Sequence, residues 1–235
     1  SNLFYISKLA EHAVFDQIHD HMLQFDLYPM LQLAYRSGHS TETALLKVIN
    51  DILLSMDKQR VSILVLLDLS AAFDTVDHQV LLRRLESSFG ITGQALHWFA
   101  SYLADRSQKI VFNGCYSKTF DLPFGVPQGS SLGPLLFTIY ASKLFDIIRT
   151  HLPSVHAFAD DTQLYLSFKV NSSTSQAESL TALQDCISSI RDWMIVDKLK
   201  LNDDNTEIII IGTRAQLEKI DIKNVNIGDT SVAVA

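Results

Sequence analysis

The chain of 235 residues predicts an α+β domain, with helices packed on one face of a largely antiparallel sheet. Two observations carry that class. Apolar residues recur at helical spacing in several stretches, and short apolar runs of strand length fall between those stretches. Two hairpin patterns, one around Asn113-Gly114 and one around Asp160-Asp161, join neighbouring strands in opposite directions. The composition agrees: 47% hydrophobic and 19% charged residues describe an ordered chain able to bury a sizeable core. No apolar run approaches the roughly 18 residues that a membrane span needs.

The elements follow in order. Ser7 to Asp26 reads as a helix. Ser40 caps a second one, in which Leu45, Val48, Ile49, Ile52, Leu53 and Met56 form an apolar stripe and Glu42 suits the positive end of the dipole. Val61 to Leu67 is apolar on both faces, as expected of a central strand. A helix from about Asp77 turns Val80, Leu81, Leu85 and Phe89 inward, and another from about Thr92 to Ala104 uses Leu96, Phe99, Ala100 and Leu103. Asn113-Gly114 tolerates positive φ and makes a tight hairpin between Ile110-Val111-Phe112 and Tyr116 to Leu122. Pro134 suits the first turn of a helix running through Leu136, Ile139, Tyr140, Leu144 and Ile147. Ala157-Phe158 and the alternating Leu164, Leu166, Phe168 then bracket Asp160-Asp161 at a turn. A polar loop, Asn171 to Ser175, leads into a long helix with Leu180, Leu183, Ile187, Ile190 and Met194. The strand Glu207 to Ile211 and a less regular end complete the chain. Trp98 and Trp193 lie on helix faces among apolar neighbours and are expected in the core.

Charge narrows the function. The net charge of −7 is the wrong sign for a protein that binds nucleic acid by neutralising phosphates. An acidic metal site would contribute to that total. Two well-separated cysteines, Cys115 and Cys186, fit free thiols in a cytosolic or nuclear setting. Eight histidines are scattered without zinc spacing, and Ser1 to Ala10 does not read as a signal peptide.

The residues with chemical potential are carboxylates at strand ends. Asp68 closes the run Val61 to Leu67, and Asp160-Asp161 sits at the later hairpin, after a loop Gly125-Val126-Pro127-Gln128-Gly129. Such carboxylates suit a pair of hard metal ions about 3.5–4 Å apart, which clamp both oxygens of an in-line phosphoryl displacement. Taken singly, each feature has a plainer reading. A strand-ending aspartate is more often a turn former or helix cap, Pro-Gln-Gly is often only a turn, and Phe73 alone reads as core.

The combination is more specific. Leu67-Asp68-Leu69-Ser70-Ala71-Ala72-Phe73-Asp74-Thr75-Val76-Asp77-His78 resembles the first palm motif of reverse transcriptases from LINE-type (non-LTR) retrotransposons. Phe124-Gly125-Val126-Pro127-Gln128-Gly129-Ser130-Ser131-Leu132-Gly133-Pro134 resembles their second, and Phe158-Ala159-Asp160-Asp161 their catalytic doublet, with Phe158 where tyrosine is usual. The similarity is in order and covers nearly the whole chain. It implies a right-hand polymerase palm with an antiparallel sheet backed by helices, plus partial fingers: residues 1–60 as fingers and 61–235 as palm. The implied reaction is RNA-directed DNA polymerisation, transferring a dNMP to a primer 3′-OH. Asp68 and Asp160 would hold two Mg²⁺ ions (Mn²⁺ as a substitute), with Asp161 contributing less directly. Phe73 would exclude a 2′-hydroxyl, and Gln128 and Gly129 would line the pocket for dNTP and template. The implied partners are an RNA template and a DNA primer, without a membrane, in the cytoplasm or nucleus. Arg36, in Ala34 to Thr43, resembles a segment following the fingers, with nucleic-acid contact and local structure both open as its role. Asp74, Asp77 and His78 read as the start of a helix.

The chain departs from the pattern in three places. Leu199 to Glu207 resembles the fourth palm motif, yet Asn205 stands where the family usually has a lysine that assists the pyrophosphate leaving group; Lys198 and Lys200 lie nearby at another spacing. An Arg-Pro pair expected before Ser1, and a primer grip and thumb expected after Ala235, lie outside the sequence. The rival expectation is therefore a catalytically silent, truncated relic that keeps the fold alone. A palm-type nucleotidyl cyclase shares the metal logic but lacks the Pro-Gln-Gly loop in this order.

Overall fold

The computed structural model describes residues 5–29, 40–127, 129–152, 154–158, 161–220, 222, 224–227 and 230–233. In chain order these form helices α1 (Tyr5–Gln24) and α2 (Thr41–Asp57), strand β1 (Arg60–Leu67), and helices α3 (His78–Phe89) and α4 (Gly93–Leu103). Short strands β2 (Ser107–Gln108), β3 (Val111–Phe112), β4 (Cys115–Tyr116) and β5 (Phe120–Asp121) follow, then helices α5 (Gly133–Tyr140) and α6 (Ser142–His151). Strands β6 (Ser154–Phe158) and β7 (Asp161–Lys169) precede the long helix α7 (Ser173–Val196) and a 3-10 turn (Asp203–Asn205). The last elements are β8 (Glu207–Ile211), α8 (Arg214–Leu217), β9 (Asn224–Ile227) and β10 (Thr230–Ala233). The chain forms two compact units: Ser1–Tyr28 with Ala71–Tyr140 (unit 1), and Pro29–Ser70 with Ala141–Ala235 (unit 2).

Unit 2 is built on a four-stranded antiparallel sheet in the order β6-β7-β1-β8. The central place expected for Val61 to Leu67 is where β1 lies. It pairs with β7 from Arg60↔Lys169 to Leu67↔Thr162, and with β8 from Ser62↔Ile211 to Leu66↔Glu207. On one face Val61, Ile63 and Val65 are fully buried. The other face, carrying Leu64, Tyr165 and Ile211, receives Val48, Ile52 and Met56 of α2. Both faces of β1 are thus covered, where the sequence placed helices on one.

Helix α2 starts as its sequence predicts. The Ser40 hydroxyl accepts from the Thr43 N–H at 3.2 Å, and the Thr43 hydroxyl accepts from the Ser40 N–H at 2.8 Å, a reciprocal cap. Its apolar stripe is wider than its buried face. Ala44, Val48 and Ile52 are buried, whereas Leu45, Ile49 and Leu53 are 42–54% exposed, because the helix meets the sheet along a line of four-residue spacing. Helix α7, capped by the Ser172 hydroxyl, packs on α6 and β7 and buries Leu183, Cys186, Ile187, Ile190 and Met194. The single helix expected from Pro134 through Ile147 is two helices, α5 and α6, with the break at Ala141 (φ −84°, ψ 0°). The apolar spacing runs on across Ala141, which hides the break from pattern reading.

In unit 1, α3 packs on α4 and α5 around Leu81, Leu85, Phe89, Phe99, Leu135 and Phe137. Asp77 caps α3, its Oδ1 accepting from the Gln79 and Val80 N–H groups at 2.9 and 3.0 Å. Gly90 in the left-handed region ends the helix. The buried Arg84 donates to the Tyr140 carbonyl at the C-terminal end of α5, where a cation meets the negative end of the dipole. Asn113 and Gly114 both have positive φ and turn β3 into β4, as the dipeptide predicts. Trp98 is half-buried and stacks on Tyr102 at 5.3 Å, and Trp193 in unit 2 is also half-buried, so neither is fully in the core. Among the described residues no helix is long and apolar enough to cross a membrane.

Candidate active site

The predicted site residues fall into two groups. Asp68, Asp160 and Asp161 belong to unit 2, and Phe73, Gln128 and Gly129 to unit 1. Asp160 and Gln128, like Arg36, lie outside the described residues.

In unit 2 the ladder sets the acidic positions. Leu67↔Thr162 is the last pair between β1 and β7. The next residue on each side is Asp68, just beyond β1, and Asp161, the first residue of β7. Asp161 also pairs with Phe158 across the β6-β7 hairpin, which fixes its backbone at the end of β7. Half-buried Asp68 is gripped from the far side of the sheet's end. Its backbone carbonyl accepts from the Asn202 N–H at 2.9 Å, and the Ser70 N–H donates to the Lys200 carbonyl at 3.0 Å. The carboxylate Oδ2 accepts from the Asn202 side-chain amide at 2.7 Å and from the Asn205 amide at 3.0 Å. Sequence reading assigned Asn202 no role, because its partner lies 134 positions away.

The residues fit a hard divalent cation. Asp68 offers carboxylate oxygen, the donor that Mg²⁺ prefers, and its orientation is held by neutral amides as metal ligands commonly are. Mg²⁺ takes one or two protein carboxylates and keeps several waters, so a dense cage is not required. Among the described residues no three His, Cys, Asp or Glu side chains gather in one place.

In unit 1 the loop Gly125–Gly129 is laced to the segment after Asp68. The Gly125 N–H donates to the Val76 carbonyl at 2.8 Å, the Val126 N–H to the Phe73 carbonyl at 2.9 Å, and His78 Nε2 lies 2.8 Å from the Gly125 carbonyl oxygen. Only glycine serves at 125: φ is +86°, and a Cβ would sit 2.9 Å from the Asp74 carbonyl oxygen. The Phe73 ring is half-buried, 4.9 Å from that of Phe137. Past Gly129, also at positive φ, the Ser131 N–H donates to Glu11 at 2.7 Å. Glu11 is 2% exposed and also accepts from the Tyr102 hydroxyl at 3.1 Å. Burial pushes the Tyr102 hydroxyl up to about 12. No motif surrounds Glu11, an acid in a helix without a marked apolar face, so nothing local in the sequence singles it out. Tyr102 stacks on Trp98 and hydrogen-bonds to Glu11 within unit 1.

An antiparallel sheet with an aspartate at the end of its central strand, next in register to the first residue of its partner, is the framework of a polymerase palm. The family comparison agrees: residues 1–225 match the model for reverse transcriptase (RNA-dependent DNA polymerase), and the chain belongs to that family. Its relatives include the probable RNA-directed DNA polymerase from transposon BS of Drosophila melanogaster, 28% identical over 206 residues, covering 86% of this chain and 22% of the relative. The RNA-directed DNA polymerase from mobile element jockey of Drosophila funebris is 25% identical over 202 residues, covering 84% and 21%. The chain thus spans about a fifth of the length of these relatives. Both come from mobile elements, as the LINE-type resemblance implied. Among solved structures, apo telomerase from Candida tropicalis truncated from its C-terminal domain matches with a TM-score of 0.62 at 16% identity, covering 94% of this chain and 44% of that one. That match bears on the fold alone, and it supports the α+β palm assignment.

Proposed function

We propose that this chain is the fingers–palm part of a retrotransposon RNA-directed DNA polymerase, transferring dNMP from dNTP to a DNA primer 3′-OH along an RNA template. The observation that carries the reading is the place of Asp68, at the end of the central strand and one register step from the start of β7 at Asp161. Residues 1–60 act as fingers and 61–235 as palm. Asp68, Asp160 and Asp161 hold two Mg²⁺ ions. When bound, these ions activate the primer hydroxyl and neutralise the leaving pyrophosphate. The chain's own part is positioning. Asp68 is held by its two amide partners, and the Phe73 ring, braced by Phe137, stands under the nucleotide sugar and excludes a 2′-hydroxyl. Gln128 and Gly129 lie along the base and template, where the lacing of Gly125 and Val126 keeps the loop in one conformation. Such an enzyme works inside the cell, in the nucleus where it copies into target DNA.

The test is primer extension on an RNA template with Mg²⁺ and dNTPs, comparing the chain with an Asp160→Ala/Asp161→Ala double variant. Extension that disappears in the variant is expected. Equal extension by both would remove Asp160 and Asp161 from the mechanism. A second reading, a silent relic that keeps the fold, is favoured by Asn205, which carries no charge to offer the leaving group. Extension by neither protein, with both folded, would support it.

A further inference from the structure

Asn205 has an occupation of its own. Its amide and that of Asn202 converge on one oxygen of Asp68, Oδ2, at 3.0 and 2.7 Å. Among the described residues no donor is placed on Oδ1. The two asparagines stand on one tight turn. The Asn205 N–H donates to the Asn202 carbonyl at 3.2 Å, and the Thr206 hydroxyl donates to the same carbonyl at 3.0 Å. Asp203, inside that turn, pairs with Arg191 of α7. Leu201 bridges to Leu69 and the Asn202 N–H donates to the Asp68 carbonyl, so the turn is joined to the segment that carries the carboxylate.

Two donors on one oxygen stop the carboxylate from turning about its last torsion. Neither donor carries a charge. A lysine held in the same contact would neutralise Asp68 and repel an approaching cation. An amide fixes the direction of the carboxylate and leaves its full charge in place. Such partners commonly change the metal affinity of the ligand they orient by 10–100-fold.

We propose that Asn202 and Asn205 form a neutral clamp that presets Asp68 as a divalent-cation ligand. The position that holds lysine in the family then acts here through the carboxylate, not on the leaving group. Both asparagines are positioning residues. The inference rests on the reading of Asp68 as a metal ligand.

Mn²⁺ binding to the full chain, followed by the electron paramagnetic resonance of the free ion, tests it without any assay of activity. Asn205 is exposed, so Asn205→Ala is expected to keep the wild-type melting temperature while binding Mn²⁺ about tenfold more weakly. Asn205→Gln keeps an amide and should recover part of the loss. Asn205→Lys should bind more weakly still at low salt, since it brings a positive charge to the site. Asp68→Ala separates the two layers of the argument. If it binds Mn²⁺ as the wild type does, or if the wild type binds none, the ligand reading fails and the clamp with it. If Asp68→Ala loses binding while Asn205→Ala or Asn205→Lys retains wild-type affinity, the clamp alone is overturned.

Discussion

Unit 2 holds its proposed functional residues on a ladder, and unit 1 holds its own on a loop. In unit 2, eight consecutive pairs between β1 and β7 lead up to Asp68 and Asp161, and the register decides where each acid lies. In unit 1, Phe73 and the glycine loop are placed by separate backbone hydrogen bonds and by the buried carboxylate of Glu11. A ladder spreads its support over many equivalent bonds, so one side chain at its end can change without loss of the frame. A loop of this kind depends on a few separate bonds. Chemistry in unit 2 should therefore be easy to remove without harm to the fold, whereas substitutions around the unit 1 loop should first be felt as lost stability.

The sharpest test of this contrast is Asp68→Asn. Primer extension should fall by about 10³-fold or more, because the proposed cation site loses a charged ligand, while the melting temperature stays within a few degrees. Collapse of the fold instead would show that the ladder does not stand without its terminal carboxylate.

Thiol reactivity reads the two units directly. Cys115, in the unit 1 hairpin, is exposed, and Cys186, in α7 of unit 2, is buried, with burial pushing its thiol up to about 12. With a disulfide reagent near pH 8, one thiol per native chain should react, the second being slower by about 10²-fold or more until the protein is unfolded. Equal rates would mean that the core of unit 2 opens as readily as the surface hairpin of unit 1.

Gly125→Ala addresses the loop. The added methyl meets the Asp74 carbonyl at 2.9 Å and is held at a φ of +86°, at a cost of about 2 kcal/mol. Denaturant titration should show that loss, with a fall in melting temperature of roughly 4–8 °C. Unchanged stability would show that the loop gives way without consequence.

The smallest expected effect concerns Tyr102. Its folded pKa of about 12 lies above the ordinary value of 10.0, chiefly because burial disfavours the phenolate. The stability it contributes is present in full below pH 10 and is lost as pH rises from there through about 12. Tyr102→Phe should flatten the stability profile over that window. A profile as steep as that of the wild type would assign the alkaline loss to other groups.

Much of the fold was readable beforehand, since local chemistry decides it. Ser40 and Asp77 cap the helices they were expected to start, Asn113-Gly114 turns its hairpin, and Glu207–Ile211 forms a strand with the expected limits. The errors arose where the decisive partner is remote. Leu45, Ile49 and Leu53 satisfy the helical pattern, yet only the width of the sheet face decides how many of them it covers. The break at Ala141 leaves the apolar spacing unbroken. At the candidate site, the palm motifs pointed to Asp68, Asp160 and Asp161, of which Asp160 lies outside the described residues, but the two asparagines on Asp68 and the buried Glu11 depend on contacts across more than a hundred residues, which no local spacing encodes.

The ladder that steadies Asp68 also sets a timetable for making the protein. Strand β1 pairs with β7 and β8, and about a hundred residues separate Arg60 from its partner Lys169. At roughly 5–20 residues per second, the apolar run Val61 to Leu67 leaves the ribosome about 5–20 seconds before its first partner exists. Throughout that interval it is a β-prone segment of low charge with no strand to pair with, the kind of sequence that joins other chains. Synthesis of this polypeptide in quantity should therefore depend on chaperones that hold β1, and slower translation should increase the share of chains lost to aggregation.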